Sequence, residues 1–268
     1  MISRHLVIKI FVALAITVVS FTAYATHSWS NYHWSRTTPS FTLQTLNSTV
    51  SAGTGANWPA LLSAAASQWS QSTKLDLNVV PYSNALKDRK RCTAVSGKIR
   101  VCNAAYGNNG WLGLASINIT SVGHITQGTA KMNDSYSSTW AGDANEAPHV
   151  MCQEVGHTLG LGHTSEDGST QNTCMDYSNS PTSTAPNQHD YDQLVTIYGH
   201  TTDSSNSYST SSAATASPGQ SGMAGDVPLG NLVHRGHFHD VYVAPDGRGG
   251  LWITHVRLAP GFEHLDTQ

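Results

Sequence analysis

Between Thr26 and His200 the hydrophobic pattern switches repeatedly between a period of two and a period near 3.6. Phe41-Thr42-Leu43-Gln44-Thr45-Leu46 alternates apolar and polar positions, which predicts a strand. In the following NWPALLSAAASQWSQST, Leu62, Ala65, Ala66 and Trp69 recur at helical spacing. Asn57 stands at a capping position and Pro59 in the first turn, so a helix is expected. Leu75–Val80, Trp111–Ile119 and His124–Asn133 read as further strands. A second helix is expected from Pro148 to about Leu159, ended by Gly160 through the left-handed geometry that glycine permits. A third begins near Asn187, with Tyr191, Leu194, Val195 and Tyr198 as its apolar face and Gly199 as its stop.

The pattern fails after His200. Between Thr201 and Gly222, 12 of 22 residues are Ser or Thr, so nothing there offsets the entropy of ordering, and 201–222 reads as a linker. The segment 223–268 regains strand-like pieces, Asp240–Ala244 and Leu251–Leu258, with Asp246-Gly247 suited to a hairpin turn between them. It is small for a core of its own and reads as an appended β element. At the other end, Arg4 and Lys9 flank the apolar run Ile10–Val19, and Ala23-Tyr24-Ala25 has the form of a cleavage site. Residues 1–25 therefore read as a signal peptide, leaving 26–200 as the main domain of an exported protein with no membrane segment after cleavage.

Composition narrows the class. Charged residues make up only 12% of the chain, the net charge is −3, and basic clusters are lacking, which argues against a nucleic-acid binder. Four cysteines in an exported chain predict two disulfides. Of the three pairings, Cys92–Cys102 is favoured because Ser96-Gly97 can turn a hairpin between them, leaving Cys152–Cys174.

The chemistry concentrates in Gln153-Glu154-Val155-Gly156-His157-Thr158-Leu159-Gly160-Leu161-Gly162-His163. On a helix, positions 153 and 157 share a face, Glu154 lies one step round, and a turn at Gly160 lets His163 return to the same point. Two donors on a helix, one after the turn and an adjacent carboxylate suit a catalytic metal with an open position. Thr173-Cys174-Met175-Asp176-Tyr177 follows downstream.

This segment resembles the metzincin zinc metalloproteases, whose signature is HExxHxxGxxH followed by a methionine turn. Glu154, His157, Gly160 and His163 match in register, Met175 takes the methionine's place, and Tyr177 matches the tyrosine that astacin-like members hold near the metal. Most of 26–200 shares features with the matrixin branch, and Ile125–Asn133 is similar to that branch's edge strand along the substrate cleft. The resemblance implies an α+β domain with a twisted mixed sheet, an active-site helix and a C-terminal helix. It implies a secreted, monomeric endopeptidase acting on protein or peptide substrates with one catalytic Zn2+, Glu154 as general base and Tyr177 as oxyanion donor. A Cys152–Cys174 bridge would tie the active-site helix to the methionine turn. Loop carbonyls leave room for Ca2+ as well.

The chain departs from the family at Gln153, where the signature has His. Three readings stand open: Gln153 is the third ligand with His157 and His163, another residue such as Tyr177 fills in, or the centre no longer holds metal well. The alternative function is therefore a weak or inactive metzincin-like scaffold that binds protein or glycan. His149, two turns from His157, reads as a buried helix-start residue. His234, His237 and His239 read as solvated. His189 and His200 receive no assignment, and Asp190 and Asp192 read as first-turn carboxylates suited to the helix dipole.

Overall fold

The computed structural model describes residues 26–53, 55–203 and 229–265. The expected signal peptide at 1–25 and most of the Ser/Thr-rich segment, 204–222, lie outside the described residues. The described residues form an α+β structure with one mixed sheet of nine strands and five helices.

The strands are β1 (His33–Trp34), β2 (Phe41–Ser48), β3 (Leu75–Pro81), β4 (Lys98–Ala104), β5 (Trp111–Ile119), β6 (His124–Asn133), β7 (Asn231–Arg235), β8 (His239–Pro245) and β9 (Leu251–Leu258). The helices are α1 (Trp58–Trp69), α2 (Leu86–Arg91), α3 (Ser137–Gly142), α4 (Glu146–His157) and α5 (Gln188–Ile197). Sheet order is β3-β2-β4-β6-β5-β9-β8-β7, with β1 pairing to the start of β6. Strands β3, β2, β4 and β6 run parallel, while β5 and everything beyond it pair antiparallel. The C-terminal unit thus continues the main sheet: β9 matches β5 from Trp111↔Leu258 to Ile119↔Leu251.

Two expectations need correction here. The segment Ile125–Asn133 is not at an edge, because β6 lies between β4 and β5. The segment between Cys92 and Cys102 is not a hairpin: Cys92 ends α2 in a left-handed conformation and Cys102 lies in β4. The Cys92–Cys102 bridge still forms, as does Cys152–Cys174, so both disulfides are present and fit an oxidising compartment. No helix among the described residues is long and apolar enough to cross a membrane.

The main core lies between the sheet and helices α1 and α4. Trp34, Trp58, Trp69, Leu62, Ile99, Ile117, Met151 and Val155 are buried there. Alternation along β9 feeds both faces of the sheet. Ile253 joins this core, whereas Trp252 and Val256 pack with Trp111, Leu114 and Ala244 in a second cluster. His255 and Arg257 share the face of Ile253, so β9 presents an imidazole and a guanidinium on its α4 side.

Candidate metal centre

Helix α4 opens two residues before Pro148, which sits within the first turn where its missing N–H costs nothing. It stops at His157, with Thr158 as its cap. Gly160 then turns the chain with φ +91°. A Cβ there would lie 2.2 Å from the Tyr32 carbonyl oxygen, so glycine is required twice over. The end of the helix is pinned by indole and phenol donors: Trp34 Nε1 to the Thr158 carbonyl at 2.9 Å and Tyr198 Oη to that of Leu159 at 2.8 Å. Met175 lies against Gly156, where a Cβ would meet its Sδ at 2.6 Å. The Cys152–Cys174 bridge joins the same helix and turn. Helix α5 stiffens this turn through Asp190, which completes a capping box with Asn187 and accepts from the Thr173 hydroxyl.

These constraints bring His157 and His163 together, and β9 adds His255. One ring nitrogen from each lies within 4.8 Å of the others. His157 Nδ1 lies 2.8 Å from the Leu161 carbonyl oxygen, an acceptor only, so Nδ1 carries the proton and Nε2 is bare. His163 Nδ1 faces Glu166 Oε1 at 3.2 Å, which leaves its Nε2 bare as well. Yet these two Nε2 atoms stand 3.1 Å apart. Tyr177 Oη lies 2.9 Å from His163 Nε2 and 2.8 Å from His255 Nε2, and it has one proton to give. Lone pairs therefore converge where donors are too few, an arrangement that a cation resolves. The 3.1 Å separation is close to the edge of about 3.3 Å expected between two donors each about 2.0 Å from a tetrahedral zinc.

Glu154 borders the same point. Both its oxygens are buried without a hydrogen-bond partner, and Oε2 lies 3.6 Å from His255 Nδ1. Strand β5 crosses closely here: a Cβ on Gly113 would lie 2.6 Å from Glu154 Oε1. Burial pushes the Glu154 carboxyl well above its usual range, opposed by Arg257. Burial also lowers His157 to about 4 and pushes His163 and His255 well below the ordinary imidazole value. The imidazoles are thereby held neutral, the form that binds metal. A cation in their midst would in turn favour the Glu154 carboxylate.

Gln153 is turned to a different partner. Its Oε1 accepts from Arg257 Nη1 at 2.8 Å, and its Nε2 donates to the Asp176 carbonyl at 2.9 Å. The third imidazole at the centre comes from β9, not from position 153 of α4. Arg257 also pairs with Glu146 at 3.0 Å and lies over the Tyr177 ring. His149 Nε2 reaches the Asp176 carbonyl at 2.8 Å, the buried role expected of it.

The C-terminal unit holds what the sequence reading missed. His239, expected to be solvated, is buried beside His163 and His255 and stacks on Tyr177. His255 and Arg257 carried one faint signal: two polar residues on the same strand face as Leu251 and Ile253. A cavity of about 360 Å³ opens onto the imidazoles, lined by Trp29, Glu166, His234, His239 and Val241 among others.

No protein-family model matches the chain, and a search of curated proteins finds no match either.

Proposed function

We propose that the chain is an exported, zinc-dependent peptidase on a metzincin-like scaffold, with His157, His163 and His255 as ligands. The observation that carries this reading is the convergence of three imidazoles on one point beside an unpartnered buried glutamate. The donors are borderline nitrogens, which suit zinc and not calcium. When bound, the ion supplies Lewis acidity to a scissile carbonyl and lowers the pKa of water toward neutrality. Glu154 takes the proton from the attacking water and returns it to the leaving amine. The Tyr177 hydroxyl, freed from the imidazoles, donates to the developing oxyanion. Substrate enters by the cavity beside Trp29 and His239.

One observation favours a second reading, a latent enzyme. Strand β9 pairs with β5 along the edge to which an extended peptide would add as a strand. A protease site placed in 204–228, followed by separation of the cut pieces in mild denaturant and refolding of the main domain alone, would distinguish the two. With β9 as a working part of the centre, release costs both zinc and activity; under latency, activity rises. The catalytic reading itself is tested with Glu154→Gln. Zinc per chain, by elemental analysis, should stay unchanged, and casein hydrolysis should fall by about 10²–10⁴. Undiminished hydrolysis would remove Glu154 from the chemistry. A wild-type chain that binds zinc but cleaves no peptide would favour the binding scaffold instead.

A further inference from the structure

A second group of imidazoles lies where the N-terminal strand, the start of β6 and the chain after α5 meet. One ring nitrogen of His33, one of His200 and a carboxylate oxygen of Asp203 all fall within 4.8 Å of one another. Asp203 Oδ2 is 3.1 Å from His200 Nε2 and 3.7 Å from His33 Nε2. His124 Nε2 stands 3.3 Å from Oδ1, with its ring 4.9 Å from that of His33.

Hydrogen bonding accounts for only part of this group: His200 Nε2 lies within reach of both Asp203 oxygens, at 3.2 and 3.1 Å, but His33 Nε2 has no such contact. His33 Nδ1 lies 2.6 Å from the Asn31 carbonyl oxygen, which can only accept, so the ring's proton is on Nδ1. His33 Nε2 is left buried and without a hydrogen-bond partner, its lone pair turned toward a carboxylate. Two acceptors face each other there, and a cation between them turns repulsion into ligation. The Nδ1–H to carbonyl bond is also the outer contact that commonly orients a metal-binding imidazole. Asp203 is further fixed by the Arg36 backbone N–H at 2.8 Å. Separations of 3.1 and 3.7 Å bracket the edge of about 3.3 Å set by zinc bonds of about 2.0 Å.

We infer that His33, His200 and Asp203 bind a second divalent cation of the zinc class, with His124 orienting the Asp203 carboxylate. The ion would fasten β1 to the segment just past α5. The site shares no residue with the His157–His163–His255 centre and does not depend on its chemistry.

The test is zinc alone, measured by elemental analysis on the full exported chain after equilibration and desalting. Wild type should carry two ions, His200→Ala one, His255→Ala one, and the double variant none. His200 is partly exposed, so its removal should leave the fold intact, which circular dichroism would check. His124→Ala should weaken the site about 10–100-fold without abolishing it. If the first centre were empty and this one real, the series would read one, zero, one and zero. A folded His200→Ala chain that holds as much zinc as wild type would overturn the inference. As a second arm, Asp203→Asn keeps the size of the side chain but removes its charge, and unchanged zinc content there would overturn it equally.

Discussion

The two halves of the buried face of α4 meet the same strand and solve opposite problems. At the C-terminal half, His157 and Glu154 face His255, and bare lone pairs gather at one point. At the N-terminal half, Glu146, His149 and Gln153 face Arg257, whose guanidinium supplies the positive charge covalently. The registers fit because two residues along a strand span about 6.6 Å and one helical step of four spans about 6.0 Å. His255 and Arg257 therefore each meet their own turn of the helix. Gln153 belongs to the half that carries its own cation, and its amide oxygen is a neutral acceptor suited to a guanidinium. In the proposed centre, the strand that brings the arginine also brings the third imidazole, His255.

Removing the strand's imidazole breaks the comparison most directly. His255→Ala should lower zinc affinity at the first centre more than about 100-fold, beyond the cost of losing an outer partner. Competition with a chromogenic chelator reads this, and an unchanged affinity would place β9 outside the centre. The next largest effect belongs to the other half. Arg257→Leu leaves Glu146 buried without its charge partner and should cost about 3 kcal/mol of stability in urea unfolding. The double variant Arg257→Leu/Glu146→Gln should regain part of that loss. A cost below about 0.5 kcal/mol for the single change would mean that the pair is solvated in solution.

Both halves of α4 were visible in the sequence, but their partners were not. The helix, its end at Gly160 and the return of His163 follow from local rules, because spacing, a glycine and a turn act within a few residues. So do β2, β3, β5 and β6, which read as strands from short local runs, whereas Cys152–Cys174 follows only as the pair left over and spans 22 residues. What stayed hidden depends on contacts between residues far apart in the chain. The addition of β9 to β5 is set by backbone pairing, which carries almost no sequence signature, and His255 gains its meaning only from that pairing. His239 seemed solvated for the same reason, since its burial comes from the ring of Tyr177. The Cys92–Cys102 segment misled in another way: Ser96-Gly97 is a good turn, but the basic run Leu86–Arg91 forms α2 and places Cys92 at its end.

Acid probes the half that faces Arg257. Burial first, and then the neighbouring guanidinium, lower His149 to about 3. An unfolded chain takes up this proton near pH 6.5, and the folded chain resists until about pH 3. The unfolded state thus binds more protons across that window, and stability rises with pH there. From pH 7 to pH 5, His149 alone should withdraw about 2 kcal/mol of stability. His149→Gln should flatten that part of the profile measured by urea unfolding in the presence of a chelator. An equally steep profile in the variant would mean that His149 titrates normally in the folded protein.

The smallest expected effect distinguishes the two accounts of position 153 most cleanly. If Gln153 were a weak metal ligand, Gln153→His would put the imidazole of the metzincin signature at that position and tighten zinc. In the arrangement seen here no tightening is expected. The amide oxygen accepts from Arg257 and the amide nitrogen donates to the Asp176 carbonyl, so the side chain satisfies two buried groups at once. A neutral imidazole has one acceptor and one donor but holds them on a rigid ring, and cannot reach both partners at the amide's positions. One buried group is left poorly paired, at a cost of about 1 kcal/mol. If His255 is the third ligand, as proposed, zinc affinity should stay within about twofold of wild type. A tenfold tightening of zinc in Gln153→His, with stability unchanged, would return position 153 to the metal and make the Arg257 contact incidental.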